Sequence, residues 1–333
     1  MTHENKTPGS LMAKESAQSP KVFAASAVQS VSGGIDMPKA IYTIARGSSD
    51  AAANMLSYEF MRELGIPVTS LPPSIFSLGE GVALDGAAVL VISQSGASND
   101  LVLSAQGAAK AGAKVLALTN QPDSPVEGAS DVTLTIGAGP ELAVPATKSV
   151  IGAVAAGMAL LSVLKPTYAK KAQYAAKALG DMSLQTPQAD ALQAALLRTR
   201  HVYVIGRDAG YGAAQETALK LKECCAIHAE AHSSSEVLHG PLQLATNPLM
   251  VLMLDTGLAE TQDSLDQAEA RFTAAGCDVH RVRISDAGLG GIAPAAAAAA
   301  LLALIYPIIL STALALGLDP DAPETLSKVT QTT

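Results

Sequence analysis

Between Gln215 and Pro241 the chain concentrates acids, lysines and histidines, the side chains that move protons. Glu216, Lys220 and Glu223 recur at i, i+4 and i+7, so a helix here would hold them on one narrow stripe. Ala213, Ala214, Thr217, Ala218, Leu221, Cys224 and Cys225 fill a broad apolar face of the same helix. A passage rich in His and Ser then leads to Glu236, His239, Gly240 and Pro241. Taken alone, Glu216 and Lys220 read as a solvent-facing pair worth about 0.2–0.5 kcal/mol. Charged residues make up only 16% of the chain against 49% hydrophobic, however, so a run this dense in ionisable groups stands out from its background and marks a candidate acid–base site. His228, Glu230 and His232, with Glu236 and His239, have the ligand types of a metal centre, but their spacing matches no common site and no metal is expected.

The rest of the chain bounds what such a site could serve. With 333 residues there is room for two domains of about 150 residues. A net charge of -8, without a Lys/Arg run, argues against nucleic acid, and the absence of Trp with 3% aromatics argues against stacking platforms. Three cysteines, two of them adjacent, fit neither a disulfide framework nor a CxxC metal site. A reduced, cytoplasmic setting is expected, and the polar N-terminus lacks the layout of a signal peptide. The uncharged stretch 287–318 exceeds the ~20 residues that span a bilayer. Its Ala and Gly content, Pro307 and its acidic flanks favour a buried helix or helix pair, so no membrane association is expected.

The elements that must position the site repeat. Residues 40–55 align with 201–216, setting Tyr42, Ile44 and Arg46 opposite Tyr203, Ile205 and Arg207 at a constant offset (203 − 42 = 161). The same offset sets Val89 opposite Met250, each opening an apolar strand, a polar turn, a helix and another strand. This alternation predicts an α/β protein of two tandem doubly wound parallel-sheet domains, flavodoxin-like and related by internal duplication. The expected layout is an N-terminal segment over 1–35, a first domain over 36–165 and connecting helices over 166–197. A second domain over 198–318 and a C-terminal tail over 319–333 complete it.

Ligands of such sheets bind beyond the carboxyl ends of the strands. There the first copy offers Ser93, Gln94, Ser95, Gly96 and Ser98 ahead of a helix capped by Ser98 or Asn99, while the second offers Asp255, Thr256 and Gly257. Hydroxyls, free backbone N–H groups and a helix N-terminus suit a phosphate, and an aspartate repels one. The phosphate site is therefore expected in the first copy, aided by the neighbouring strand-end loop of Gly47, Ser48 and Ser49. Gly206, Gly210 and Gly212 are wrongly spaced for a dinucleotide fingerprint, and there is no P-loop.

Together, Ser93-Gln94-Ser95-Gly96 after a strand, Glu216 through Glu223, and Glu236 through Pro241 resemble the sugar isomerase (SIS) family. The resemblance is to the isomerase half of glucosamine-6-phosphate synthases and to stand-alone glucosamine-6-phosphate deaminases. It runs over nearly the whole chain, through Glu141, Val144, Thr147 and Lys148 to Lys328. It implies that Ser48, Ser49, Ser93, Gln94, Ser95, Ser98 and Val144 bind a phosphosugar and that Glu223 carries the proton between C1 and C2. His239, from the partner subunit of a homodimer with shared active sites, would assist ring opening. Glu216 and Lys220 would support the sugar end, and Lys328 could form an imine with a keto sugar. Leu238, Ala146 and Ser48 depart from the synthase pattern of lysine, serine and threonine.

Aldose–ketose exchange needs a carboxylate at C1 and C2, an acid–base group at the ring oxygen and exclusion of water, without a cofactor. The resemblance thus implies conversion of glucosamine 6-phosphate and water to fructose 6-phosphate and ammonia. A synthase would need a cysteine nucleophile to make ammonia from glutamine, and Cys224, Cys225 and Cys277 all lie in the second copy. A fructosamine-6-phosphate deglycase, another phosphosugar isomerase, an isomerase subunit awaiting a separate glutaminase, and a sugar-phosphate-sensing regulator are the alternatives.

Overall fold

Val89 to Ile92 and Val115 to Leu118 are short unbroken apolar runs, the pattern of strands buried on both faces. In the computed structural model, which describes residues 7–328, they lie in the centre of a parallel sheet. This sheet comprises β1 (Ile41–Ile44), β2 (Val68–Ser70), β3 (Ala88–Ser93), β4 (Lys114–Thr119) and β5 (Val132–Thr135), ordered β2-β1-β3-β4-β5. A second parallel sheet comprises β6 (His201–Gly206), β7 (His228–Ser233), β8 (Met250–Asp255) and β9 (Asp278–Arg283), ordered β7-β6-β8-β9. The α/β reading with two parallel sheets holds.

The helices of the first half are α1 (Ser10–Ser16), α2 (Ser19–Ser26), α3 (Gly47–Leu64), α4 (Ser74–Ser77), α5 (Asn99–Lys110), α6 (Pro125–Gly128) and α7 (Lys148–Leu164). After them come α8 (Ala169–Gly180), α9 (Ala189–Arg198), α10 (Ala209–Cys225), α11 (Gln262–Ala274) and α12 (Pro294–Ala315). In each sheet the order reverses beside the first strand, which opens a crevice at the ends of β1 and β3 and, in the copy, of β6 and β8.

The duplication is real in topology but its register corrects the sequence alignment. Tyr42 pairs with Val89, whereas Tyr203 pairs with Val251 rather than Met250. The offset is therefore 161 at the first strand and 162 at the third (251 − 89 = 162). One extra residue before β8 absorbs the change, because a one-residue slip inside the sheet would turn every side chain to the wrong face.

The expected helix or helix pair over 287–318 is one helix, α12, with Pro307 inside it. By length and composition it could cross a bilayer, but most of it is buried in this fold, where it packs on α10, α9, α7 and α3. Its N-terminus is tied to the first half: the Ala295 N–H donates to Glu59 Oε2 at 3.1 Å, and Tyr168 Oη donates to Glu59 Oε1 at 2.9 Å. The ends of the described chain also meet. Asp321 accepts the Leu11 and Met12 N–H groups, each at 2.8 Å, and so satisfies donors that open α1.

The two halves approach most tightly where α10 crosses α3. A Cβ added to Gly212 would lie 2.6 Å from Met55 Cγ and 2.8 Å from both Ala51 O and Met55 N, so backbone blocks it. Gly212→Ala is expected to destabilise the protein by about 1–3 kcal/mol through forced separation of the helices. A lowered denaturant midpoint at unchanged slope checks this, and an unchanged midpoint refutes it.

Candidate active site

Helix α10 is where the structure most changes the reading of the sequence. Glu216 and Lys220 are not a solvent-facing pair: both side chains are fully buried, 3.1 Å apart. The charged stripe points inward because the opposite, apolar face is also covered, and it meets α3 and α12. Lys220 Nζ donates to Glu223 Oε2 at 2.7 Å and to Ser48 Oγ at 2.8 Å, so with Glu216 its three N–H groups all find oxygen. Only Glu223, one turn further on, reaches solvent, with a side chain 24% exposed.

Glu223 opens onto a cavity of about 730 Å³ at the ends of β1 and β3. Ser93, Gln94, Ser95 and Ser98 line one wall, Ser48 and Ser49 another, and Val144 with Lys328 a third. Ser48 and Ser49 belong to the first turn of α3 rather than to a loop, so their N–H groups are part of a helix N-terminus. Ser98 is the N-cap of α5, and its hydroxyl makes no capping bond. Ser93 Oγ accepts the Gly96 N–H at 3.0 Å, and Ser95 Oγ accepts the Ala97 N–H at 3.3 Å. Gly96 has φ +60°, and a Cβ there would lie 2.2 Å from Ser124 Oγ, which is why the turn requires glycine.

The equivalent turn of the second half is closed. Asp255 does not stand open to repel an anion; it is buried and bonded to Arg281 at 2.8 and 3.0 Å, with the Gly257 N–H and Gln262 Nε2 on its other oxygen. Arg281 continues to Asp266 and Glu269, so the crevice is filled by the protein's own ions.

Lys328, the last described residue, is held rather than solvated. Its Nζ donates to Ala143 O at 2.7 Å and lies 3.5 Å from Glu141 Oε2. Glu141 itself is buried and accepts from the N–H groups of Thr147 and Ser149 and the Ser149 hydroxyl. The Val144 N–H donates to Asp321 O at 3.1 Å, which stitches the tail to this wall. Residues 329–333 of the expected tail lie outside the described residues. His239 is brought to no member of this group: it sits exposed in the 3-10 turn Glu236–His239 and does not line the cavity of its own chain. Glu230 lies 3.8 Å from His228 and 3.4 Å from His232, and among the described residues no group of three or more His, Cys, Asp or Glu side chains is placed to hold a metal ion.

Two contributors escaped the sequence reading. Tyr306 of α12 donates to Glu216 Oε1 at 3.2 Å from within an Ala/Leu run that carries no periodic cue. Arg46 lines the cavity beside the serines, and its place directly before Gly47, Ser48 and Ser49 was the available signal.

Burial pushes the Glu216 carboxyl up to about 7 against the pull of Lys220, with Glu223 adding repulsion. Burial also works against charge on Lys220, but Glu216 and Glu223 outweigh it and keep the ammonium above its ordinary range. The thiols are not activated: burial drives Cys224 and Cys277 upward and Cys225 up to about 12. Because the folded protein raises the Glu216 pKa, stability from its proton is complete below about 4.5 and is lost as pH rises through about 7. Relative to Glu216→Gln, the wild type should therefore lose up to about 3 kcal/mol of unfolding free energy across that window. Paired denaturant titrations from pH 4.5 to 8 measure this, and a constant difference would show that Glu216 is ionised throughout.

A family model described as the SIS domain matches residues 35–163 and 195–310. The isomerizing glutamine–fructose-6-phosphate aminotransferase of Sulfurisphaera tokodaii is 30% identical over 297 residues, covering 86% of this chain and 49% of that protein. The chain thus spans about half the length of the curated relatives it matches. A crystal structure of a proposed phosphosugar isomerase from Silicibacter pomeroyi superposes with TM-score 0.80 at 29% identity, covering 93% of this chain and 99% of that one. The glucosamine-6-phosphate deaminase structure from Thermotoga maritima covers 97% of this chain and 100% of that one, at TM-score 0.76 and 19% identity, and shares the fold. With the model matched in both halves and the serine turn, buried lysine and cavity-facing carboxylate in place, this chain belongs to the SIS domain family.

Proposed function

We propose that the protein is a phosphosugar isomerase that deaminates, taking glucosamine 6-phosphate and water to fructose 6-phosphate and ammonia. The observation that carries the proposal is Glu223: a carboxylate anchored by a buried lysine and facing a serine-lined cavity large enough for a hexose phosphate. The sugar phosphate sits against Ser93, Gln94, Ser95, Ser98, Ser48 and Ser49, which leaves C1 and C2 toward α10. After ring opening, Glu223 removes the C2 proton and returns it to C1, turning the amino aldose into the C2 imine of a ketose. Water adds to that imine, the C–N bond breaks, and ammonia leaves.

Lys220 fits a supporting role because its charge keeps the Glu223 carboxylate oriented, while Glu216 and Tyr306 hold the lysine from behind. Val144 and Lys328 would close the sugar end, with Lys328 released from Ala143 to meet a keto carbon. A second reading, isomerisation without C–N cleavage, is favoured by the similarity to the Silicibacter pomeroyi structure.

Incubation with glucosamine, galactosamine and fructosamine 6-phosphates, with ammonia and keto-sugar phosphate measured separately, tests both. Glucosamine 6-phosphate is expected to yield the two products in equal amounts; interconversion of glucose 6-phosphate and fructose 6-phosphate, assayed in parallel, with no ammonia released from any amino sugar would support the second reading. Glu223→Gln should lower kcat by about 10²–10⁴-fold with substrate affinity retained, since the amide keeps the shape but takes no proton. Near-normal turnover would remove Glu223 from the mechanism.

His239 enters through a second copy of the chain in this proposal, since it is exposed and away from its own cavity. Mixing inactive Glu223→Gln with inactive His239→Ala subunits should restore part of the activity. No recovery despite proven subunit exchange would mean that each chain is self-contained.

A further inference from the structure

Arg46 is a charged residue of the cavity wall to which the proposed reaction gives no role. It occupies the N-cap position of α3 in extended backbone geometry, and its side chain is about half exposed (51%) at the cavity wall. Its Nε donates to Asp100 Oδ2 at 3.0 Å. Asp100 is fully buried in the first turn of α5, and its other oxygen takes the Leu101 N–H at 3.0 Å. A buried carboxylate thus fixes one edge of the guanidinium against the helix whose cap, Ser98, lines the same cavity. The planar fork has four further N–H bonds, on Nη1 and Nη2.

The cavity needs that charge. A phosphate monoester carries about −1.5 to −2 at neutral pH, while the serines and Gln94 are neutral. Lys328 is engaged by Ala143 and Glu141 at a different wall. The second half supplies a contrast within one molecule. Arg207, the counterpart of Arg46, spends Nη1 on the hydroxyls of Ser233 and Ser235, and the crevice beside it is filled by Asp255 and Arg281. In the first half, among the described residues, the arginine is hydrogen-bonded through Nε alone and lines an open cavity.

We propose that Arg46 is the phosphate-binding cation of this site, gripping two phosphate oxygens through Nη1 and Nη2 while Asp100 holds Nε. The inference rests on the phosphosugar reading above and adds to it the residue that pairs the charge; Asp100 is its positioning residue.

Equilibrium binding of glucosamine 6-phosphate, fructose 6-phosphate and inorganic phosphate is measured in a Glu223→Gln background, where turnover is suppressed. Adding Arg46→Ala should weaken all three by about 10- to 100-fold, the loss of a hydrogen-bonded ion contact. Arg46→Lys, which keeps the charge without the fork, should fall between, and Asp100→Asn should weaken phosphate binding with Arg46 still present. Thermal melts of each variant establish that it is folded, and Arg46→Lys preserves the test should the alanine variant unfold. If the Glu223→Gln protein binds no phosphosugar, the functional reading itself fails. If it binds and Arg46→Ala binds equally well, or loses sugar phosphates while inorganic phosphate is unaffected, Arg46 is not the phosphate cation.

Discussion

A buried ammonium ties the chemistry of the second half to the first. Lys220 belongs to α10 of the second half, yet one of its three donors reaches Ser48 of α3 in the first, and the other two hold Glu216 and Glu223. Without its partners, a buried charge would cost several kcal/mol, and removing one partner of such a pair typically costs 3–5 kcal/mol or about that. The geometry therefore has little freedom: α3 and α10 must stay in register, which the bare backbone at Gly212 permits. Glu223 inherits that rigidity, because the lysine that orients it cannot shift without unpairing an oxygen elsewhere.

Duplication supplied two crevices, and electrostatics left one of them available. In the first half, Ser93 to Ser98 and the start of α3 present neutral donors to open space. In the second, Asp255 takes the structural place of Ser93 and recruits Arg281, whose remaining donors reach Asp266, Glu269 and Gln262. The side chains that fill this crevice are held to one another by that network, and the second half contributes α10 to the cavity of the first. The termini complete the other side of the cavity: Asp321 caps α1 while its carbonyl takes the Val144 N–H, so the tail that carries Lys328 is anchored before it reaches the site.

Much of this was legible in the sequence, and for local reasons. Alternating apolar strands and helices gave two parallel α/β units, since that period is written into consecutive residues. The serine turn after β3 and the i, i+4, i+7 stripe of Glu216, Lys220 and Glu223 named the ends of the cavity, because strand-end position and helix spacing are both countable. What faces a helix from the far side of a fold is not countable. The stripe looked like a solvated face until α3 and α12 covered it, and that burial is what moves Glu216 to about 7. The contact between Tyr306 and Glu216 joins positions 90 residues apart, and that between Arg46 and Asp100 joins positions 54 apart. The sequence by itself determined which chemical groups were present and at which strand ends they stand. Only the tertiary structure decided which charges were desolvated, which crevice stayed open and which arginine was left to face it, because each depends on elements that meet in space and not along the chain.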